Sequence, residues 1–147
     1  MVLDKQLGNG CVWINLDVEK IKNLEDLSEI YGLDKETIEY ALDKNERAHM
    51  DYNRENGTVT FIYNVLDLEK DKDYYEAIPM TFIVENKRMI TISNHKNAYV
   101  IDQMLAYLDS HESLSIYKFL FAGLEIISNA YYPVIEEMDK SKDEISA

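Results

Sequence analysis

The sequence has 147 residues, 46% of them hydrophobic, which is enough for one domain with its own hydrophobic core. Acidic residues number 28 against 15 basic residues, so the formal net charge is −13. A field of that sign repels phosphate groups, which makes nucleic acid and anionic lipid poor partners and favours cations or basic protein surfaces. The single cysteine, Cys11, excludes an internal disulfide.

Six short segments have the composition of β-strands. Two of them flank Gly8-Asn9-Gly10 and two flank Glu55-Asn56-Gly57, and an Asn-Gly pair between apolar runs is typical of a β-hairpin. The last two segments are joined by a short polar connection, residues 85–88. We predict strands over residues 1–7, 11–16, 48–54, 58–66, 77–84 and 89–93.

Apolar residues recur at helical spacing in four further segments, which we predict to be helices. Gly32 follows the first helix and is suited to end it, whereas Asp34 and Ser113 are suited to cap the second and the fourth. Pro133 interrupts or kinks the fourth helix, because proline has no backbone N–H to donate. The predicted helices cover residues 21–31, 34–42, 99–108 and 113–131.

These elements predict one α/β (α+β) domain with a mixed, largely antiparallel β-sheet flanked by helices in α-β-α layers. We assign residues 1–132 to this domain and residues 133–147 to the beginning of a long stalk helix. Beyond Pro133, only a narrow apolar stripe stands among charged residues, as in a helix whose partner surfaces lie elsewhere; it consists of Val134 or Ile135, Met138 and Ile145. A frayed surface helix is the alternative. No apolar stretch is long enough to cross a bilayer, so we expect this sequence to be soluble.

Motifs of enzymes are not recognisable in the sequence. There is no phosphate-binding loop, no dinucleotide-binding glycine pattern and no Ser or Cys nucleophile in a strand-to-helix elbow. The three histidines, His49, His95 and His111, lie in separate polar contexts without the spacing of a metal triad. We therefore do not expect an enzyme.

An acidic segment follows the fourth predicted strand and has carboxylates at alternate positions: Asp67, Glu69, Asp71 and Asp73. In an extended chain these side chains project to one side, and carboxylate oxygens are the ligands that Mg²⁺ prefers. The spacing excludes an EF-hand, because Lys72 and Ile78 stand where that motif needs glycine and glutamate. The alternative is a solvated loop in which Lys70 and Lys72 partly neutralise the carboxylates.

The order of these segments resembles the soluble N-terminal domain of CorA-family divalent-cation transporters. Trp13-Ile14-Asn15-Leu16 resembles the Trp-hydrophobe-Asp-Leu strand that opens the family's domain. Met80-Thr81-Phe82-Ile83-Val84, followed by Met89-Ile90-Thr91-Ile92-Ser93, is similar to the family's paired strands. The segment from Leu120 to Asp139 is similar to the helix that leads into the family's stalk. The family's Gly-Met-Asn pore motif and its two membrane helices are not in this sequence.

The resemblance implies a regulatory and assembly domain on the cytoplasmic face of the cell membrane, within a homopentameric magnesium transporter. It also implies a regulatory Mg²⁺ held between subunits, which favours the closed pore. By resemblance the metal ligands would come from Asp67, Glu69, Asp71 or Asp73, with Asn129 near a position where the family has a carboxylate. Two alternatives stay open: zinc, cobalt or nickel transport within the same family, and a free-standing acidic module that binds a basic protein.

Overall fold

The described part of the chain, residues 2–43, 45–69 and 74–146 of a computed structural model, forms six strands and five α-helices. The strands are β1 (Val2–Gly8), β2 (Cys11–Asp17), β3 (His49–Asn53), β4 (Thr58–Leu66), β5 (Ala77–Val84) and β6 (Arg88–Ser93). The helices are α1 (Glu25–Tyr31), α2 (Lys35–Leu42), α3 (Ala98–Asp109), α4 (Ile116–Asn129) and α5 (Tyr132–Ser146). A 3₁₀ turn (Val18–Lys20) follows β2.

The six strands form one sheet in the order β1-β2-β6-β5-β4-β3. The β2–β6 pair is parallel, and the other four neighbouring pairs are antiparallel. The predicted fold class, a mixed and largely antiparallel sheet flanked by helices, is therefore confirmed. The boundary predicted at residue 132 between this domain and a stalk stays a prediction.

The β1–β2 hairpin has the turn that its sequence predicts. Asn9 and Gly10 both have positive φ, 54° and 78°, as a two-residue type I′ turn requires. Gly8 before them has φ 121°, and a Cβ at this position would collide with the side chain of Ser113. The Leu114 N–H donates to the Leu7 carbonyl nearby (2.9 Å), so this hairpin end packs against the residues just before α4.

Hydrophobic side chains cover both faces of the sheet. On one face, Trp13 of β2 and Phe82 of β5 are fully buried against α3 and α4, and Phe119 packs edge-on to Trp13 with ring centroids 4.8 Å apart. On the other face, α1 and α2 cover a smaller cluster that includes Leu27 and Ile90. The sheet is thus the middle of three layers, α-β-α, as predicted.

A chain of buried polar side chains fixes the parallel pairing of β2 with β6. The Trp13 Nε1–H donates to Thr91 Oγ1 (3.0 Å), and the Thr91 hydroxyl donates to Asn15 Oδ1 (2.7 Å). Asn15 Nδ2 then donates to Ser93 Oγ (3.0 Å). Because a buried polar atom without a partner is costly, a shifted register would lose several of these bonds at once.

We predict that Thr91→Val lowers the free energy of unfolding by about 2 kcal/mol, because it leaves Trp13 Nε1 and Asn15 Oδ1 buried without partners. Thr81→Val is the matched control: Thr81 is also buried, and its hydroxyl makes no side-chain hydrogen bond among the described residues. We expect the control to change stability by less than about 1 kcal/mol. Urea unfolding of both variants checks the prediction, and equal losses would contradict it.

Candidate functional site

Three strands that run in the same direction have their carboxyl ends on the same side of the sheet. This row of strand ends is called the carboxyl edge, or simply the edge. β2 is parallel to β6, and β4 has the same direction because β5 is antiparallel to both β4 and β6. The carboxyl ends of these strands bring Asp17, Asp67 and Ser93 to this edge. The first two predicted metal ligands, Asp67 and Glu69, therefore lie where polar side chains from distant parts of the sequence converge.

Asp67 is the central residue of this edge. Only 6% of its surface is exposed, and its backbone N–H donates to the Glu76 carbonyl (2.8 Å), which closes the connection between β4 and β5. One carboxylate oxygen, Oδ1, accepts the N–H of Glu69 (3.0 Å). The other, Oδ2, lies 3.8 Å from the ammonium nitrogen of Lys96. A buried carboxylate needs such partners, because desolvation without them would favour its neutral form.

The loop between β6 and α3 supplies the basic side chains of the edge. Lys96 pairs with Asp67, while the neighbouring His95 pairs through its backbone N–H and its Nδ1 with the carboxylate of Glu19 after β2. This contact with His95 lowers the pKa of Glu19. The loop thus connects the carboxyl ends of β2 and β4 across the end of β6.

Tyr99, in the first turn of α3, contacts this edge from the layer formed by α3 and α4. Its hydroxyl donates to the Leu66 carbonyl (2.6 Å), the last residue of β4. Burial, and to a smaller extent the nearby Tyr131 and Asp67, raises the pKa of Tyr99 to about 12. The hydroxyl therefore keeps its proton, and its hydrogen bond, across the physiological pH range.

The structure describes two of the other predicted ligands, Glu69 and Asn129, and both are exposed, unlike Asp67. Glu69 is exposed on the loop, and Asn129 is exposed at the carboxyl end of α4 without a hydrogen bond to Asp67 or Glu69. Asp71 and Asp73 lie outside the described residues. In the part of the chain that the structure describes, no group of three or more His, Cys, Asp and Glu side chains could hold a metal ion. The predicted ligand set stays a prediction.

The chemistry of Asp67 is compatible with a hard cation. Lys96 places a positive charge beside Oδ2, so this oxygen already faces a cation in the folded chain. The ammonium side chain is 40% exposed and able to move into solvent. Mg²⁺ retains much of its water shell and needs few protein oxygens, so one carboxylate with neighbouring acceptors fits its requirements.

Sequence reasoning missed three polar residues after β6: Lys96, which pairs with Asp67; Asn97, which binds Asn94; and Tyr99, whose hydroxyl donates to the Leu66 carbonyl. All three belong to the turn and first helical turn after β6, and this position was itself the available signal, since polar residues after neighbouring parallel strands share one sheet edge. Asn97 is 1% exposed, and its Oδ1 accepts the Asn94 N–H (2.8 Å). Its Nδ2 is buried without a partner among the described residues.

Several solved structures have the same fold as this chain. The soluble domain of CorA from Methanocaldococcus jannaschii has a TM-score of 0.72 at 16% identity, covering 93% of this chain and 54% of that one. The complete CorA magnesium transporter from the same organism has a TM-score of 0.74 at 17% identity, covering 98% and 46%. The ZntB cytoplasmic domain from Vibrio parahaemolyticus has a TM-score of 0.74 at 11% identity, covering 91% and 54%. The TM-scores establish a shared fold, and at these identities they establish the fold alone; this chain spans about half the length of each structure.

The sequence itself establishes the family. A family profile described as CorA-like Mg²⁺ transporter protein matches residues 8–147. The chain therefore belongs to the CorA-like family, and the resemblance found in its motifs is confirmed. No curated protein sequence matches the chain. Among the described residues, no helix is both long enough and apolar enough to span a membrane.

We predict that Asp67 and Lys96 are energetically coupled. In a double-mutant cycle of Asp67→Asn and Lys96→Met, we expect a coupling free energy of about 0.5–1 kcal/mol at low salt, decreasing at about 1 M salt. The control cycle replaces Asp67→Asn by Asp102→Asn, an exposed carboxylate of α3. Urea unfolding measures both cycles, and equal coupling in the two would contradict a specific pair.

We predict that Tyr99 makes the protein less stable in strong alkali. In the unfolded chain its hydroxyl ionises near pH 10, whereas in the folded chain its pKa is about 12. The stabilisation is therefore complete below about pH 10 and is lost as the pH rises through about 12. Tyr99→Phe removes this contribution, so its unfolding free energy should fall less steeply above pH 10 than that of the wild type. Tyr117→Phe, at an exposed position of α4, controls for the loss of one hydroxyl, and identical slopes in all three proteins would contradict the prediction.

Proposed function

We propose that this chain is the regulatory and assembly domain, on the cytoplasmic face of the membrane, of a homopentameric Mg²⁺ transporter. The family match over residues 8–147 is the observation that carries the proposal. The similarity of fold to a complete magnesium transporter, of which the chain covers 46%, supports it further. In this proposal the pore belongs to a part of the protein beyond the domain described above.

The proposed regulatory ligands are the acidic loop residues Asp67, Glu69, Asp71 and Asp73, with Asn129 as a weaker ligand. Asp67 is supported by its position, because its Oδ2 already faces the positive charge of Lys96. The net charge of −13 would also raise the local concentration of divalent cations. Mg²⁺ bound here would contribute a charge that holds carboxylates of neighbouring subunits together.

The energetics of such a sensor are modest for each site. A ligand shifts a conformational equilibrium only by its difference in affinity for the two states. Near half saturation, a site contributes well under about 1 kcal/mol, from RT ln(1 + [L]/Kd). Several equivalent sites must therefore act together, which is the physical advantage of a pentamer over a single subunit.

The proposed stalk begins at residue 133, within α5. Two apolar side chains of this helix are exposed, Ile135 at 48% and Met138 at 66%. Apolar residues on a helix with a narrow stripe pack well against other helices of an assembly. This exposure supports the proposal that α5 is covered in the assembled transporter.

A second candidate function is a module that binds a basic protein partner. It is favoured by a groove of about 470 Å³ at the opposite end of the sheet, between the α1–α2 turn and the β3–β4 hairpin. Carboxylates outnumber the one basic side chain, Arg54, in its lining: Asp34, Glu36, Asp51, Glu55 and Glu85. This surface would suit positively charged side chains.

We predict that Mg²⁺ raises the melting temperature of the chain at constant ionic strength. At a concentration about tenfold above Kd, the stabilisation is about 1.4 kcal/mol, which corresponds to a few degrees for a domain of this size. Asp67→Asn should reduce the response, whereas Asp102→Asn, an exposed carboxylate of α3, should retain it. Parallel melts with Zn²⁺, Co²⁺ and Ni²⁺ test the ion preference.

The sample for this experiment should be concentrated enough to self-associate, with sedimentation velocity recorded at each Mg²⁺ concentration. A response shared equally by Asp67→Asn and Asp102→Asn would contradict the proposed site. The absence of any Mg²⁺-specific shift up to about 20 mM, far above physiological levels, would contradict Mg²⁺ sensing by this domain.

A further inference from the structure

The orientation of α5 is not fixed by a continuous helix. α4 ends at Asn129 and α5 begins at Tyr132, with Pro133 in its first turn. Proline has no N–H to continue the hydrogen bonds of α4, so the helix restarts with the Ile135 N–H donating to the Tyr131 carbonyl (3.0 Å). Other contacts must therefore set the direction of α5.

Apolar burial contributes little to those contacts. From residue 132 to residue 140, the side chains of α5 are exposed except for Val134, which is half-buried. Since burial of apolar surface is the main driving force of packing, this part of the helix is held weakly by the hydrophobic effect. Polar contacts then decide where residues 132–140 lie.

Two tyrosine hydroxyls provide such contacts: one joins the residue before α5 to β4, and the other joins α5 to the end of the loop between β4 and β5. The hydroxyl of Tyr131, just before α5, donates to the Asn64 carbonyl of β4 (3.0 Å). The hydroxyl of Tyr75, at the far end of the loop, donates to the carboxylate of Glu137 in α5 (3.2 Å). The loop that begins at Asp67 is closed beside Tyr75 by the bond from its N–H to the Glu76 carbonyl. Tyr75 therefore contacts α5 and also stands next to the hydrogen bond that closes the loop between β4 and β5.

We propose that the Tyr75–Glu137 hydrogen bond is a latch that couples the two described ends of the loop between β4 and β5, residues 67–69 and 74–76, to the docking of α5. When the latch is closed, each element stabilises the other, and when it opens, both become freer to move. A contact of this kind is reciprocal by thermodynamic necessity: loosening the loop loosens the helix by the same factor. The use of this coupling in cation sensing rests on the proposed function, whereas the coupling itself does not.

Amide hydrogen exchange measured by NMR on the 147-residue chain, without divalent cations, tests the latch. Tyr75→Phe should accelerate exchange of the α5 amides at residues 136–140 by between about twofold and tenfold, the range expected for one hydrogen bond. Glu137→Ala should accelerate exchange of the Asp67 and Glu69 amides to a similar extent, although these lie far away in the sequence. Neither variant changes a buried side chain, so both should fold.

Matched controls are available beside each partner. Tyr74→Phe removes an exposed hydroxyl that has no hydrogen-bond partner among the described residues, and Glu136→Ala removes an adjacent exposed carboxylate of α5. Neither control should change exchange in the distant element by more than about 1.5-fold, less than the loss of one hydrogen bond would cause. Controls that act as strongly as the latch variants, or variants that affect only their own element, would overturn the proposal.

A second series with MgCl₂ separates this proposal from the proposed function. If Mg²⁺ protects the Asp67 amide in the wild type and also changes exchange in α5, loss of the α5 effect in Tyr75→Phe supports the latch. If α5 still responds in Tyr75→Phe, the latch is overturned while cation sensing stands. If Mg²⁺ has no effect but the variants act reciprocally, the latch stands and cation sensing by this loop fails.

Discussion

The parallel pairing of β2 with β6 is the contact on which the rest of the sheet depends. The other four neighbouring pairs join strands that are consecutive in the chain, so they form two separate units, β1–β2 and β3–β4–β5–β6. Only this pairing joins the two described units into one six-stranded sheet with a face for each helix layer. The hydrogen bonds from Trp13 through Thr91 and Asn15 to Ser93 make other registers costly, because each would leave buried polar atoms unpaired.

The same pairing explains why charged residues collect at one edge. It aligns β2 with β6 and β4, so three strands end on the same side of the sheet, with Glu19 after β2 and Asp67 after β4. In a chain with a net charge of −13, each carboxylate is stabilised by a basic partner. One loop supplies both partners, since Lys96 faces Asp67 and His95 contacts Glu19. Divalent-cation binding at this edge would have to compete with, or add to, an internal compensation that already exists.

Features encoded by neighbouring residues could be predicted from the sequence. The Asn9-Gly10 turn and the cap at Asp34, which accepts the Thr37 N–H (2.7 Å), depend on local chemistry alone. The strands and helices follow from hydrophobic periodicity, so the fold class could be predicted as well.

The partners of the candidate site could not be predicted in this way. Asp67 and Lys96 are separated by a hairpin and meet only because of the strand order. Alternation along an extended chain placed Asp67 and Glu69 on one side, but in the structure Asp67 turns into the protein while Glu69 stays exposed. The hydrogen bond from the Glu69 N–H to Asp67 Oδ1 is a local turn contact. Such a turn competes with the extended backbone on which the predicted alternation of side chains depends.

The junction between α4 and α5 explains why a few weak polar contacts matter for the position of α5. Pro133 removes the continuity that would otherwise make α4 and α5 one rigid rod, and from residue 132 to residue 140 the side chains of α5 are mostly exposed. In the proposed latch, a few polar contacts of order 1 kcal/mol each would therefore set the free-energy difference between docked and undocked positions of this part of α5. A regulatory ligand near half saturation supplies a similar amount per site. A helix held by a large apolar interface would not respond to so small an input, whereas one held by Tyr131 and Tyr75 lies within its range.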